Sequence, residues 1–479
     1  MKNKKVVIFL ASLIVLIGGI FLVNNIYQNK NKINKTKRKR QNNIAIMIKE
    51  DGATDYTRAS SKDIPKGNYT LNYEKSYCKN NGVIGDYDST LGKVSFSFIG
   101  TDDCYLYFDY YIDPGYITIL KNNGGKDAIE AKGTPDFTKV ATENEGMYAA
   151  QDDLGTSYYF RGAVNNNWVK FGKTIHGNIN YSDATLRDTL WRIIRINGDG
   201  SIRMIYSGAG DPSAYTSVVE SNGAIMTEST ASAVFFGGGN SFNENHSNFA
   251  HVGYMYTEDE LHGTSTDSTI KSSLDLWYKN SSLETDPATK KLVADQIFCN
   301  DRSVVKTNDS GSHYIYGALA RLDSNIKVGE KKPILTCPTD SDKFTVNASN
   351  GNGALTYPVG LITADEAVMA GGNAGSGMTG YGLQNSSYYL YTGTGQRYCT
   401  GSPSDFNFFD SNVGNIYYVD SAVTSINLEG DCFYRPVISL TADVKLIGDG
   451  TYTNPYRVSW LLKRITLICD FFDCIFCYF

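Results

Sequence analysis

The sequence predicts an α+β, β-rich chain, and three observations lead to that fold class. Tyrosine is abundant, at 34 residues, and the chain holds 46 glycines, a composition that favours strands joined by polar turns. Short segments that alternate apolar and polar residues recur along the chain, whereas segments with helical periodicity are few. Hydrophobic residues make up 41% and charged residues 20%, which is typical of folded globular domains and excludes a disordered chain.

The first element is a predicted single transmembrane helix. Val6–Val23 is apolar and uncharged, and its extension to Tyr27 is long enough to span a bilayer. Because no small-residue cleavage site follows Val23, an uncleaved signal anchor over residues 1–27 is favoured over a cleaved signal peptide. Membrane lipid is therefore an expected partner of residues 6–27. Lys and Arg are more numerous after this span than before it, but the cysteines and the polar, tyrosine-rich composition favour an extracellular location for the bulk of the chain.

Residues 28–42 are a basic juxtamembrane spacer, which either contacts anionic headgroups or wall polymers or is simply solvated. Residues 43–118 are predicted to form a small all-β domain, since residues 94, 96 and 98 alternate on one face of a strand, as do residues 104, 106 and 108. Cys78 and Cys104 are the cysteines of this domain. They form either a disulfide, which would stabilise a marginal core, or two unpaired buried thiols.

Residues 119–141 show no sustained period and are interpreted as a linker before a large domain over residues 142–441. The strongest hairpin signal lies at Trp191–Tyr206, where two β-rich runs flank Asn197-Gly198-Asp199-Gly200. This turn has the acidic and amide residues of a calcium loop, but the closing Glu of an EF-hand is missing, which favours a hairpin turn.

Three helices are predicted within the large domain. Ser268–Lys279 carries an apolar stripe, and Ala288–Phe298 is a second candidate. A capping box at Thr363–Glu366 opens a third, which ends at Met369 before two glycines. The aromatic rings of Trp277 and Phe298 are expected in the core.

The closing strand of the large domain is predicted at Cys432–Leu440, with Pro436 marking a strand start or a sheet edge. Residues 442–479 are interpreted as a connector followed by an atypical hydrophobic tail. Lys, Arg and Asp interrupt the apolar residues of this tail, which argues against a second spanning helix.

Several classes of function lack support in the sequence. The net charge of −5 argues against a general nucleic-acid binder. The histidines have no metal-ligand spacing, and His246 and His251 are expected to be exposed in a polar loop. The carboxylate pairs Asp152-Asp153 and Asp365-Glu366 do not nominate a glycosidase centre without geometry. No catalytic residue, metal site or cofactor is therefore predicted.

The order of several motifs carries a resemblance to a known family. The motifs are Trp191–Ile205, Phe298–Ser303, Leu355–Ala367, Ser387–Gly393, Thr400–Ser404 and Tyr434–Leu440. Together they resemble uncharacterised, membrane-anchored bacterial surface proteins that have a C-type-lectin-like domain, distantly similar to the formylglycine-generating (sulfatase-modifying) enzyme. The resemblance covers residues 142–441, and it implies a cell-surface location and a C-type-lectin-like fold for that region.

The chain departs from the family pattern at Tyr398-Cys399-Thr400, where such proteins often have Tyr-Trp-Thr. Together with the resemblance, this departure implies a Cys399–Cys432 disulfide, with Cys299–Cys337 as a second pair. Pairing of Cys299 with Cys399 or Cys432 stays open on sequence grounds. The enzymatic branch of the fold uses two closely spaced reactive cysteines, whereas Cys399 and Cys432 are widely separated.

The combined expectation is a membrane-tethered extracellular binding or adhesion protein without catalytic activity. Its ligand would be a glycan or a protein, because polar and aromatic loops on a β scaffold are suited to recognition. The alternatives are a non-catalytic structural envelope protein and an enzyme related to the formylglycine-generating fold.

Overall fold

The computed structural model describes eleven segments of the chain. These are residues 15–28, 42–50, 53–59, 63–175, 186–209, 236–307, 313–323, 331–375, 382–391, 397–408 and 413–459. The described residues fall into two compact units, a small one that ends at Ile112 and a large one that begins at Asp113. Both are rich in β-strands, and the few helices are short, as the predicted α+β, β-rich class requires.

The first described element is a helix over residues 15–28. Across the described segments, no helix is both long enough and apolar enough to cross a membrane. Residues 6–14 of the predicted anchor lie outside the described residues.

The small unit is built on a five-stranded sheet in which β7 is central. Its path is β2-β1-β7-β3, with β4 also paired to β7, and β5 and β6 form a separate hairpin. The strands are β1 Asn43–Lys49, β2 Thr57–Arg58, β3 Tyr69–Leu71, β4 Tyr77–Cys78, β5 Val83–Asp88, β6 Lys93–Ser97 and β7 Asp103–Tyr110.

One face of this sheet forms the core of the small unit. Ile46, Leu71, Leu106 and Phe108 are buried there, and Val94 and Phe96 of β6 pack against them. The alternation along β7 follows from the two-residue period of a strand, which turns successive side chains to opposite faces.

The large unit contains a nine-stranded sheet with the path β16-β25-β12-β11-β10-β27-β26, extended by β9 and β8 beside β11. Its strands are β8 Asn144–Asp152, β9 Gly155–Gly162, β10 Trp168–Thr174, β11 Arg187–Ile196, β12 Ile202–Ala209, β16 Val293–Ala294, β25 Val437–Leu440, β26 Leu446–Ile447 and β27 Tyr456–Val458. The predicted hairpin is confirmed, since β11 and β12 pair antiparallel around the Asn197–Gly200 turn.

A seven-stranded sheet holds most of the remaining strands of the large unit. It comprises β13 Phe236–Asn240, β18 Val304–Thr307, β19 His313–Tyr316, β21 Tyr398–Asn407, β22 Val413–Val419, β23 Val423–Asn427 and β24 Cys432–Tyr434. Two small pairs complete the set, namely β14 Met255–Tyr256 with β15 Thr266–Asp267 and β17 Phe298–Cys299 with β20 Lys343–Phe344.

The helices of the large unit are Gly115–Asn122, Lys126–Glu130, Thr269–Lys279, Ser282–Thr285, Pro287–Lys290, Gly317–Leu322 and Ala364–Met369. Two of them were predicted correctly. Ser268 caps Thr269–Lys279 by accepting a hydrogen bond from the Lys271 amide, and the capping box of Thr363 and Glu366 opens Ala364–Met369. The rings of Trp277 and Phe298 are buried in the core, as expected.

The predicted helix Ala288–Phe298 is wrong. The helix there is Pro287–Lys290, and the chain then forms β16 and β17. β16 pairs with β25 through Val293 and Leu440, so a distant strand determines a conformation that local periodicity predicted as helical.

The expected domain boundaries also differ from those in the structure. Residues 119–141 are not a bare linker, because the helices Gly115–Asn122 and Lys126–Glu130 bury Ile119, Leu120 and Ile129 in the large core. Residues 113–118 accordingly belong to the large unit rather than to the small domain predicted at 43–118. After residue 441, β26 and β27 join the nine-stranded sheet, so the described part of the expected connector is part of the fold.

The predicted closing strand is two strands that lie in different sheets. β24 belongs to the seven-stranded sheet and β25 to the nine-stranded sheet, and the break falls at Arg435-Pro436. Pro436 thus stands immediately before a strand start, where its missing N–H costs no ladder bond. The Arg435 side chain is buried and donates to the carbonyl oxygens of Tyr206 and Leu390 at 2.9 and 3.1 Å.

Candidate functional site

Three of the four carboxylates noted in the sequence, Asp152, Asp365 and Glu366, pair with arginines inside the large unit, whereas Asp153 pairs with Lys343. Glu366 Oε1 lies 2.9 Å from Arg195 Nε and 2.7 Å from Arg203 Nε. Arg195 Nη1 also contacts Asp152 Oδ2 at 2.6 Å. Burial opposes ionisation of Glu366, but Arg203, Arg195 and the Thr363 amide together hold its pKa below the ordinary value.

Asp365, the neighbour of Glu366, belongs to a second group of ion pairs. Arg321 donates to both Asp365 oxygens at 2.7 Å, in a bidentate arrangement, and to Asp301 at 2.6 Å. Burial by itself would lower the pKa of Arg321, but the two carboxylates raise it above its ordinary value. All these charges are therefore paired within the protein.

The space beside these ion pairs is too small for a substrate. The cavity that they line has a volume of about 30 Å³, which is room for about one water molecule. Binding sites for small molecules are usually ~300–1,000 Å³. The geometry therefore assigns Asp152, Asp365 and Glu366 to the stability of the interior, and no acid–base role follows for them.

The six cysteines predicted as disulfide candidates form three disulfides in the structure. Cys78 bonds to Cys104, Cys299 to Cys337 and Cys399 to Cys432. The Cα atoms of Cys399 and Cys432 are 5.5 Å apart, within the range that a disulfide spans. Cys399 and Cys432 are also buried, so neither is presented as a reactive thiol.

The described histidines are each next to a carboxylate. His251, His262 and His313 lie 2.7, 3.0 and 3.1 Å from Glu258, Asp342 and Asp405. The expectation that His251 is an exposed loop residue is wrong, because its side chain is only 5% exposed.

His246 is partly exposed, at 33%, and its ring lies 3.6 Å from Glu429. His176 lies outside the described residues. Within the described ranges, no group of three or more His, Cys, Asp or Glu side chains is arranged to hold a metal ion.

A cleft of the right size for a ligand opens elsewhere in the large unit. Its volume is about 530 Å³, and it lies between the helix Gly115–Asn122 and the Asn197–Gly200 turn. Its lining includes Tyr116, Leu120, Lys121, Lys126, Tyr158 and Asn197.

The shape of this cleft depends on the hairpin turn. Gly200 has a φ of +87°, which favours glycine, and a Cβ at this position would lie 3.2 Å from the Tyr116 ring. The turn therefore approaches Tyr116 closely and forms one side of the cleft. The sequence motif that predicted the hairpin thus also contributes to this site.

Aromatic rings and cations are both available in the cleft. Tyr158 is buried, and its hydroxyl donates to Glu130 at 2.7 Å; burial and this contact raise its pKa above the ordinary value. Lys121 and Lys126 are 65% and 61% exposed, and their partners Asp113 and Glu130 lie 2.5 and 3.8 Å away. Such exposed pairs are weak, so the lysines can exchange these partners for a ligand.

Asn197 contributes a polar group with unused hydrogen-bonding capacity. It is 2% exposed, and its Nδ2 donates to Ser201 Oγ at 2.8 Å. Among the described residues, its Oδ1 has no hydrogen-bond partner. Asn197 borders both this cleft and the 30 Å³ cavity, but its Oδ1 is buried and is not presented to a ligand in the cleft.

Sequence reasoning missed this cleft because it interpreted residues 119–141 as a linker. One signal could have found the helix, since Pro114 precedes it and Asn123-Gly124 follows it, as at many helix boundaries. No sequence signal indicated that this helix and the distant hairpin turn lie next to each other.

Comparison with protein-family models, with curated proteins and with solved structures found no match to this chain.

Proposed function

We propose that the chain is an exported binding protein, held at the membrane by residues 6–27, that binds a saccharide in the cleft between Tyr116 and Tyr158. The combination of two tyrosine rings and two exposed lysines along one cleft of about 530 Å³ is the observation that carries the proposal. A binding role also agrees with the extracellular composition, and the three disulfides suit an oxidising compartment.

The chemistry of the cleft favours a sugar over a purely apolar ligand. Tyrosine rings give apolar contact with the C–H face of a sugar ring and keep a polar hydroxyl at their edge. Leu120 adds apolar surface, while the exposed Lys121 and Lys126 supply donors for hydroxyl groups. The proposed lectin-like fold of residues 142–441 rests on the motif resemblance, and sugar binding does not follow from fold alone.

A glycan array probed with the purified full-length chain tests this function. We expect a defined set of saccharides to be bound, and Tyr116→Ala and Lys126→Ala each to weaken binding. Lys126→Ala changes an exposed side chain, so its loss of binding cannot be attributed to unfolding. Tyr148→Ala is the matched control, because Tyr148 is a half-buried tyrosine of the large unit that does not line the cleft.

Three outcomes would count against the proposal. Absence of saccharide binding would favour a structural envelope protein, while equal weakening by Tyr116→Ala and Tyr148→Ala would remove the cleft as the binding site. Turnover of a cysteine-containing peptide that is lost on Cys399→Ser would instead support an enzyme related to the formylglycine-generating fold.

A further inference from the structure

The sheet of the small unit has a second face, on the side opposite the core. This face is separate from the cleft, which lies in the large unit. Along β7, Leu106 and Phe108 enter the core, so Tyr105 and Tyr107 turn to the other face. Tyr77 of β4 stands opposite Tyr105 in the strand register. Tyr56, Tyr77, Tyr105 and Tyr107 form what we call the tyrosine face.

The four rings of the tyrosine face contact one another in pairs. Tyr77 stacks on Tyr105, with centroids 5.0 Å apart and an interplanar angle of 15°. Tyr56 meets Tyr107 edge to face, also at 5.0 Å. Tyr77 is 49% exposed, and the other three rings are partly exposed, so aromatic surface remains accessible along the sheet.

A hydrogen-bond network holds Tyr56 in place within the tyrosine face. Tyr56 donates to Asp109 at 2.7 Å, and Asn72 donates to the other Asp109 oxygen at 2.8 Å. Burial and the contact with Asp109 raise the pKa of Tyr56 to about 12. The ring is therefore held in place and stays neutral at physiological pH, as a preformed binding surface requires.

Two lysines lie over rings of the tyrosine face. Lys75 Nζ lies 4.7 Å from the Tyr56 centroid and Lys79 Nζ 5.4 Å from the Tyr105 centroid. Lys49 and Arg58 share this side of the sheet, since Lys49 pairs with Asp109 and Arg58 with Met47. Lys79 also pairs with Asp103 at 3.6 Å, but both side chains are about half exposed, and such a contact is weak enough for a ligand to replace.

We propose that the tyrosine face binds an anionic polysaccharide. The rings offer apolar contact to successive sugars along an extended strand of polymer, and Lys49, Arg58, Lys75 and Lys79 attract its carboxylate or phosphate groups. Aromatic and basic residues together also suit single-stranded nucleic acid. The Cys78–Cys104 disulfide in the same unit favours the polysaccharide, because disulfides persist outside the cytosol.

The test uses the purified full-length chain and immobilised polygalacturonate, with neutral dextran and a poly(dT) oligonucleotide as comparison ligands, measured by biolayer interferometry. We expect binding to polygalacturonate that weakens as salt rises, and no binding to dextran. The double variant Lys75→Glu, Lys79→Glu should bind polygalacturonate at least about tenfold more weakly. The matched control is Lys66→Glu, Lys93→Glu, which reverses two exposed lysines at the β5–β6 hairpin, on the core side of the sheet and away from the tyrosine face.

A second variant separates ring contact from charge. Tyr77→Ala removes an exposed ring and no charge, so it should weaken binding while the salt dependence stays that of the unchanged chain. Tyr116→Ala should leave polygalacturonate binding intact, because its cleft is a different site. Undiminished binding by the Lys75, Lys79 variant, tighter binding of poly(dT), or loss of polygalacturonate binding in Tyr116→Ala would each overturn the inference.

Discussion

Cations lie over aromatic rings in both units, but among the described residues the buried ones are arginines of the large unit. In the large unit, Arg192 lies 4.2 Å from the Trp168 ring and Arg435 lies 4.7 Å from the Tyr398 ring. Both arginines are at most 2% exposed. In the small unit, Lys75 stands at the same 4.7 Å from Tyr56, but it is exposed to water.

The difference lies in the other contacts that each cationic side chain makes. Arg435 also donates to two backbone carbonyl oxygens, so its position is fixed by several directed contacts. Arginine suits this role because its planar group has five donors and stacks on rings. An exposed lysine is hydrated and mobile, and it can exchange a ring for a ligand. Buried cation–ring contacts such as that of Arg435 therefore help to stabilise the large unit, whereas the lysines over Tyr56 and Tyr105 in the small unit are exposed.

The largest effect is expected when an interior charge loses its partner. Glu366→Ala leaves Arg195 and Arg203 without their shared carboxylate and should lower the free energy of unfolding of the large unit by about 3–5 kcal/mol. Urea unfolding followed by tryptophan fluorescence measures this, since Trp168, Trp191 and Trp277 all lie in the large unit.

Asp188→Ala is the control for that experiment. Asp188 is 40% exposed and pairs with Lys170 at 2.8 Å, so its loss should cost only about 0–1 kcal/mol. Equal effects of the two substitutions would show that the interior pairs are no more important than those at the surface.

An intermediate loss of stability is expected when the pH is lowered. The folded-state pKa of Glu366 lies below its ordinary value of 4.5, so the unfolded chain binds a proton there first as pH falls. The contribution of Glu366 to stability is fully present above about pH 4.5 and is lost as pH falls through its folded-state pKa. Urea midpoints measured from pH 7 to pH 3 should therefore fall less steeply for Glu366→Gln than for the unchanged chain. Identical slopes would contradict this assignment.

The smallest change in stability is expected for a substitution at the tyrosine face. Lys75→Gln removes an exposed cation over Tyr56 and should change the stability of the small unit by less than about 0.5 kcal/mol. Hydrogen exchange of peptides from residues 43–112 reports on this unit separately. A loss above about 1 kcal/mol would mean that Lys75 has a structural role like that of the buried arginines.

Local signals predicted a good part of this fold. The Asn197–Gly200 turn between two β-rich runs and the capping box of Thr363 and Glu366 each involve residues close in sequence, where turn chemistry and capping act directly. The helix Thr269–Lys279 could be predicted equally well, because its apolar stripe and its Ser268 cap are both local.

Other features depend on distant partners and left no local signal. β16 is a strand because it lies beside β25, and the Lys126–Glu130 helix is too short for periodicity to detect. The Asp152, Arg195 and Glu366 contacts join three separate segments, so the sequence displayed the carboxylates without indicating that arginines neutralise them. The cleft was missed for the same reason, since the helix carrying Tyr116 and the turn at Gly200 meet only in the folded chain.

The position of β27 in the nine-stranded sheet has a consequence for the order of assembly. β27 pairs parallel to β10, with Val169 beside Tyr456, and also links β10 to β26. A ribosome must therefore reach residue 458 before this sheet can be completed, and the long loop between the two strands must close at that stage. Folding that depends on so distant a contact is slow, which lengthens the interval in which apolar surface of a newly made chain stays exposed.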